Sequence, residues 1–431
     1  MTTAGIALVE PRRPTLFAVA AVAFMASMAI LLQAFVAVKL AFLLIFLVVA
    51  GVGVAVRGRL VLHPRLLVFY LATTLLGIVW ALVGLLYPGT YVTGILEALR
   101  LYCIWSLAFA LLYTLLRSRP SLSLVHTVMV VAGLGVGLIN LVGLADTAAG
   151  WGLVSESLRK ELNLGVGIGE GTVIITSLNI GALFLIVPYL VALHLRTDAE
   201  VSHPWLAKTA LVLSVATALL SGRRALWLVV LLTPVTIFLV AVLSGGLDKL
   251  KVAGRRFLLV ATLGGALGVG VLAVLPEMPE TSAIGWLQAA FSAQDERSLQ
   301  KPYLIQAFKE TPVFGSGFGA YAGYSRSEDR PWNYELTYHR MLFNMGVVGT
   351  LILVALFASY FIQVLLLLRR NGPGSAIPFG LLVGLFSFLI GAYSNPYFGS
   401  FDPLFFVGLL PYLATFRRGF DERGMTSEAV V

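Results

Sequence analysis

Apolar runs of bilayer-crossing length recur from one end of this chain to the other, and no other feature restricts its fold as much. A helix needs about 20 mostly apolar residues to cross the hydrocarbon layer. Twelve segments approach that requirement: 15–36, 40–56, 66–87, 95–116, 124–145, 172–195, 207–221, 225–243, 257–275, 341–368, 376–394 and 403–416. Several are short, and the pair split by "SGRR" could count as one, so ten to twelve helices are expected, with twelve the preferred number. Only 12% of the residues are charged, against about 25% in soluble domains, too few to clothe a water-facing surface of 431 residues. The expectation is an all-α, polytopic integral membrane protein with one large external loop containing short helices.

The connecting segments set the orientation. "EPRRP", "RGRLVLHPR", "RSRPS", "RTDAEVSHPWLAK", "DKLKVAGRR", "RRNGPG" and "RRGFDER" hold more than half of the 30 Lys and Arg. With twelve helices all seven fall on one side together with both termini, and the positive-inside rule makes that side cytoplasmic. The net charge of +9 then reflects topology, and nucleic acid is not a partner. The basic start followed by "LFAVAAVAFMASMAILLQ" reads as an uncleaved signal-anchor helix. The single cysteine, Cys103, excludes an intramolecular disulfide, and no cysteine-based metal site is possible. Neither an H-x-x-x-H or D-x-D pattern nor a G-x-S-x-G motif occurs where the chemistry would need it, so no metal and no cofactor are expected.

Three regions follow: residues 1–275 with helices one to nine, a long external loop at 276–340, and 341–431 with the last three helices and a cytoplasmic tail. The loop is too rich in aromatics, Trp286, Phe291, Tyr303, Phe308, Phe314, Phe318 and Tyr321 among them, to be disordered. "DERSLQKPYLIQAFKETP" predicts a short amphipathic helix ended near Pro312. A second external segment, 146–171, contains the charged stretch "SESLRKELN" and then "GVGIGEG", which lacks the strand–turn–helix setting of a dinucleotide site.

Polar residues at the outer helix ends carry the functional signal. Arginine in hydrocarbon costs about 2.5–3.5 kcal/mol on insertion scales, a cost accepted where it lines a wet cavity. Arg223 and Arg224 interrupt two apolar runs, either as a snorkelling turn or as a guanidinium site for phosphate. Arg297 lies on the amphipathic helix beside Asp295 and Glu296, which could hold it in a surface ion pair. Glu97 and Arg100 are one turn apart, either an i,i+3 pair or part of a cavity wall. Arg159 and Lys160 face lipid headgroups or a lipid-linked phosphate, unless they simply cover the interface. His339, beside Glu335, Arg340 and Asn344, is the one histidine of five at an outer helix mouth and a candidate proton acceptor.

Taken together, "SGRR", Arg297 followed by "AFKETPVFGSGFGAY", and "HRMLFNMGVVG" resemble the signatures of the O-antigen ligase and O-antigen polymerase superfamily of bacterial membrane glycosyltransferases. The resemblance extends to the many spans and the large loop before the last helices. It departs at Arg340, where the family commonly has Asn directly after the His; here an asparagine, Asn344, comes four residues later.

The resemblance implies a glycan carried on undecaprenyl pyrophosphate and moved to a sugar hydroxyl on the outer face of the inner membrane, with lipid A core as the acceptor of a ligase and a second lipid-linked repeat unit as that of a polymerase. It assigns Arg223, Arg224 and Arg297 to the pyrophosphate and His339 to the acceptor proton, with Arg159, Glu97, Arg100, Glu335 and Asn344 in supporting positions. Trp286, Trp332, Tyr321 and Tyr334 become candidates for stacking on sugar rings. A lipid-linked oligosaccharide flippase or other transporter is the alternative from another class, but its charges belong at mid-membrane, whereas these gather at the outer ends.

Overall fold

The computed structural model describes residues 16–57, 62–116, 119–169, 172–199, 203–251, 254, 296–370 and 375–416. The expected span at 257–275 and the start of the long loop, including Trp286, Phe291 and Asp295, lie outside these residues. The described chain is mostly helical. Its helices are α1 (Leu16–Ile30), α2 (Val36–Arg57), α3 (Pro64–Leu86), α4 (Val92–Leu115), α5 (Arg119–Ala149), α6 (Glu156–Leu162), α7 (Asn179–Leu195), α8 (Pro204–Leu220), α9 (Arg224–Ser244), α10 (Glu296–Glu310), α11 (Thr337–Arg370), α12 (Ala376–Gly391) and α13 (Phe401–Leu413).

Six of these, α2, α3, α4, α5, α9 and α11, are long and apolar enough to cross a membrane, while α1, α7, α8, α12 and α13 are shorter apolar helices. "SGRR" is a true break, because α8 stops at Leu220 and α9 starts at Arg224. On α2 the exposed face carries Leu40, Leu44, Val48 and Val52, spaced four residues apart and therefore in one stripe. An apolar stripe of that length suits lipid, not water.

One expectation is corrected at residues 172–195. Thr172–Thr176 is not the start of a span but strand β2, paired antiparallel with β1 (Gly165–Gly169), Gly165 opposite Thr176 and Gly169 opposite Thr172. The β-branched run "TVIIT" prefers a pleated ladder to a helix. The helix begins at Asn179 with a single 3-10 turn. Among the described residues the fold is therefore mostly helical with one small hairpin.

The interior is built around α7 and α12, which pack against each other along their length. Both are apolar on every side, as a helix surrounded by others must be. Gly384 lets them approach: a Cβ there would lie 2.7 Å from the Leu185 carbonyl oxygen. Helices α5, α8, α9, α11 and α13 pack against this pair, and α3 and α4 pack against each other beside α13.

The two ends of the bundle differ chemically. At one end the basic connections meet: Arg196 donates to Ser375 Oγ at 2.9 Å, Lys249 reaches the same hydroxyl at 3.4 Å, Arg369 donates to the Leu243 carbonyl at 2.6 Å, and Arg65 donates to the Ala414 carbonyl. The segment from Glu296 onward lies at the other end. It has its own small core of Leu304, Ala307, Ala320, Ala322, Tyr334, Leu336 and Phe343. As the periodicity predicts, α10 buries one face, through Gln300, Leu304 and Ala307.

The glycines of "PVFGSGFG" dock this segment onto the helices. Gly317, at φ +80°, lies so close to α3 that a Cβ would sit 2.0 Å from the Gly84 nitrogen. Gly346, at φ +62° and ψ −169°, breaks α11 into a short head (337–345) and a long shaft. Trp80 Nε1 completes the joint by donating to the Phe314 carbonyl at 2.8 Å. Gly317→Ala should destabilise the fold by about 3 kcal/mol, since it adds a backbone clash at a left-handed position. Thermal unfolding in detergent measures this, and an unshifted transition would contradict the joint.

Candidate active site

At the end of the bundle away from the basic connections lies a cavity of ≈ 950 Å³. Six places in the fold build it: the α1–α2 turn, the first turns of α4, the β2–α7 connection, the α8–α9 turn, the 296–344 region and the α12–α13 connection. Seven arginines line it, Arg100, Arg223, Arg224, Arg297, Arg326, Arg330 and Arg340, against three carboxylates, Glu97, Glu335 and Asp402. The balance favours an anionic ligand.

The carboxylates hold particular arginines in place. Glu335 bridges Arg297 Nε (2.9 Å) and Arg326 Nη2 (2.9 Å), and its own N–H donates to Oε1 of the fully buried Gln300 at 2.9 Å. Arg297 therefore pairs across the cavity wall with Glu335. Glu97 accepts from Trp332 Nε1 at 3.2 Å and lies 3.7 Å from Arg330. The i,i+3 pair with Arg100 does not form; Glu97 and Arg100 are cavity wall. Arg100 opens a π-helical turn, Arg100–Trp105, a widened stretch of the kind often found at functional sites.

Asp402 is occupied elsewhere. Lys39 Nζ lies 2.6 Å from its Oδ1, with both side chains shielded from solvent, and Gln33 N donates to its Oδ2 at 2.9 Å. This pair fastens the α1–α2 turn to the start of α13 beneath the cavity. Gln33 and Phe35 there adopt left-handed backbone, φ 61° and 50°, strain that the surrounding contacts must hold.

The arginines of "SGRR" behave differently from each other. Arg223 donates through Nη2 to the Ser177 carbonyl at 2.6 Å. Behind it, the Ser177 hydroxyl lies 2.6 Å from Oδ1 of both Asn140 and Asn179, two fully buried amides. Arg224 makes no hydrogen bond or ion pair among the described residues and is exposed to the cavity. Burial pushes the Tyr397 phenol up, and the charges of Arg223 and Arg297 oppose that shift.

The head of α11 places its residues on different sides. Arg340 and Asn344, four apart, both face the cavity, and Arg340 donates to Asn333 Oδ1 at 3.0 Å. His339 does not line the cavity. Its ring lies 6.0 Å from that of Tyr393, and its buried Nδ1 has no hydrogen-bond partner among the described residues.

Arg159 does not line the cavity: it bonds Asp146 at 2.6 Å and Thr147 Oγ1 at 2.7 Å, tying α6 to the end of α5. One further expectation is corrected. Tyr334 is no stacking surface, because it is buried with its hydroxyl accepting from the Ala322 N–H at 2.7 Å, and its burial pushes the phenol up to about 12.

Sequence reasoning missed Arg326, Arg330 and the Lys39–Asp402 pair. It also discounted Arg340, which belongs to the cavity wall. No protein-family model matches this sequence, and the curated proteins contain no match to it.

Proposed function

We propose that this chain is a membrane glycosyltransferase of the O-antigen ligase and polymerase type, moving a glycan from a polyprenyl pyrophosphate to an acceptor sugar hydroxyl. The observation that carries this reading is the meeting of seven arginines from separate segments in one cavity at one end of a bundle of apolar helices. In this proposal the bundle has twelve spans in a bacterial inner membrane, the basic connections and both termini are cytoplasmic, and the cavity opens on the outer face. The donor is then undecaprenyl pyrophosphate, as the resemblance implies, and no metal takes part.

The chemistry follows from the donor set. The acceptor oxygen attacks the anomeric carbon, the bond from that carbon to the pyrophosphate oxygen breaks, and the electron pair leaves with the pyrophosphate. Arg223, Arg224 and Arg297 face the charge that develops there, Arg223 fixed in advance by the Ser177 carbonyl and Arg297 by Glu335. Guanidinium forks match phosphate oxygens in pairs. The acceptor proton goes to His339 or to Glu335. His339 has a free ring nitrogen but lies on the Tyr393 side of α11, while Glu335 faces the cavity with both oxygens already paired to arginine.

The test is transfer of a labelled glycan from purified lipid pyrophosphate donor to acceptor by the full chain in nanodiscs. Transport of the donor without formation of a glycosidic bond would overturn the proposal. Within the same assay, loss of transfer in His339→Ala but not Glu335→Gln assigns the proton to His339, and the reverse pattern assigns it to Glu335.

A further inference from the structure

At the outer rim of the cavity, three aromatic rings from two separate segments form one surface. Tyr91, just before α4, lies 5.3 Å from Trp332 and 6.3 Å from Tyr321, centroid to centroid. Tyr91 and Tyr321 are about 40% exposed, and Trp332 reaches into the cavity wall. Partly open aromatic rings that touch one another beside a polar cavity offer a continuous stacking surface.

The surface is held rigid. The Tyr91 N–H donates to the Gly319 carbonyl at 2.9 Å, joining the two segments through backbone. The indole lies over Gly94, where a Cβ would come 2.8 Å from Trp332 Cγ and 2.8 Å from Gly319 Cα. A Cβ on Gly319 would in turn come 2.5 Å from the Tyr91 carbonyl oxygen. Bare backbone at both positions is what seats the rings. Glu97 fixes the indole from the cavity side by accepting its N–H. The Arg330 side chain, 60% exposed, and Asn333 stand beside it with open hydrogen-bonding capacity.

We infer that Tyr91, Tyr321 and Trp332, with Glu97, Arg330 and Asn333, form a saccharide-binding subsite that holds the glycan while its phosphates lie among the arginines. The ligand class follows from the chemistry. A pyranose ring has an apolar C–H face that rests on an aromatic ring, whose face carries partial negative charge. Its edge carries hydroxyls that carboxylate, amide and guanidinium groups bind directionally. A few fixed polar groups around aromatic surface is the usual make-up of such a site. The inference rests on the transferase reading for the identity of the glycan, but the subsite binds sugar without phosphate.

The experiment separates the two. Equilibrium dialysis of the full chain in nanodiscs uses two probes: inorganic pyrophosphate, and the free oligosaccharide released by mild acid from the lipid-linked intermediates of the host cell. Tyr91→Ala and Tyr321→Ala should each weaken oligosaccharide binding about tenfold, with pyrophosphate binding unchanged as evidence of intact fold. Tyr91→Phe and Tyr321→Phe, which keep the rings, should bind the oligosaccharide like the wild type. Wild-type chain that binds pyrophosphate but not oligosaccharide, or alanine variants that bind oligosaccharide normally, would overturn the subsite and leave the arginine cavity standing. Failure to bind either probe would overturn both.

Discussion

Arg224→Ala should lower the rate of glycan transfer by about 10²–10³-fold and leave the thermal transition of the protein where it was. That magnitude is typical of removing one donor from a developing oxyanion. The unchanged stability follows from what Arg224 does not do. Its side chain makes no hydrogen bond or ion pair among the described residues, so its deletion breaks no internal contact. Its neighbour provides the contrast. Arg223→Ala should also slow transfer, but it additionally loses a charged bond to the Ser177 carbonyl, worth roughly 1.5–3 kcal/mol. The melting temperature of that variant should therefore fall. Arg224→Lys should restore only part of the rate, because an ammonium is a point charge where the phosphate oxygens are matched by a planar fork. Initial rates and melting curves on the same preparations decide the matter. A normal rate in Arg224→Ala would remove this residue from the pyrophosphate site.

The second large effect concerns stability. Lys39→Met and Asp402→Leu should each destabilise the protein by about 3–5 kcal/mol, the range for stranding one charge of a buried pair. Neither side chain has contact with solvent, and the lysine has few other partners: the Leu31 carbonyl at 3.0 Å and the Phe401 ring at 4.8 Å. Removing both charges together is the informative experiment. The double variant should recover most of the loss, because no unpaired charge remains in the apolar interior. Its transfer rate should stay below that of the wild type, since the α1–α2 turn loses the bonds that fix Gln33 at the cavity floor. A double variant no more stable than the worse single one would show that the pair is not the element holding this corner together.

The long apolar helices were legible because length and hydropathy are local properties of a segment. The same holds for the arginines at 100, 223 and 224, which stood out as charges interrupting apolar runs and which reach one cavity, while Arg297 stood out through the resemblance and reaches it too. Arg326 and Arg330 gave no such contrast, since they lie in a loop where arginine is ordinary. His339 and Arg340 show the limit of adjacency. Consecutive helical residues point about 100° apart, so the pattern that singles out "HR" does not say which member faces the cavity. Strand β2 was misread because a five-residue apolar run looks the same whether it opens a helix or pairs with a partner. Lys39 and Asp402 are 363 residues apart, and nothing near either one announces the other.

That separation has a consequence for how the molecule is made. A ribosome adds 363 residues between Lys39 and Asp402, so the lysine must wait for its counter-ion through all of that synthesis. During that interval the α1–α2 hairpin is a metastable intermediate, tolerable only while the ammonium can reach toward headgroups or water. Docking of α13 ends the wait. A chain truncated before residue 402 never neutralises this charge, and it would present cellular proteases with a lasting sign that its assembly was never finished.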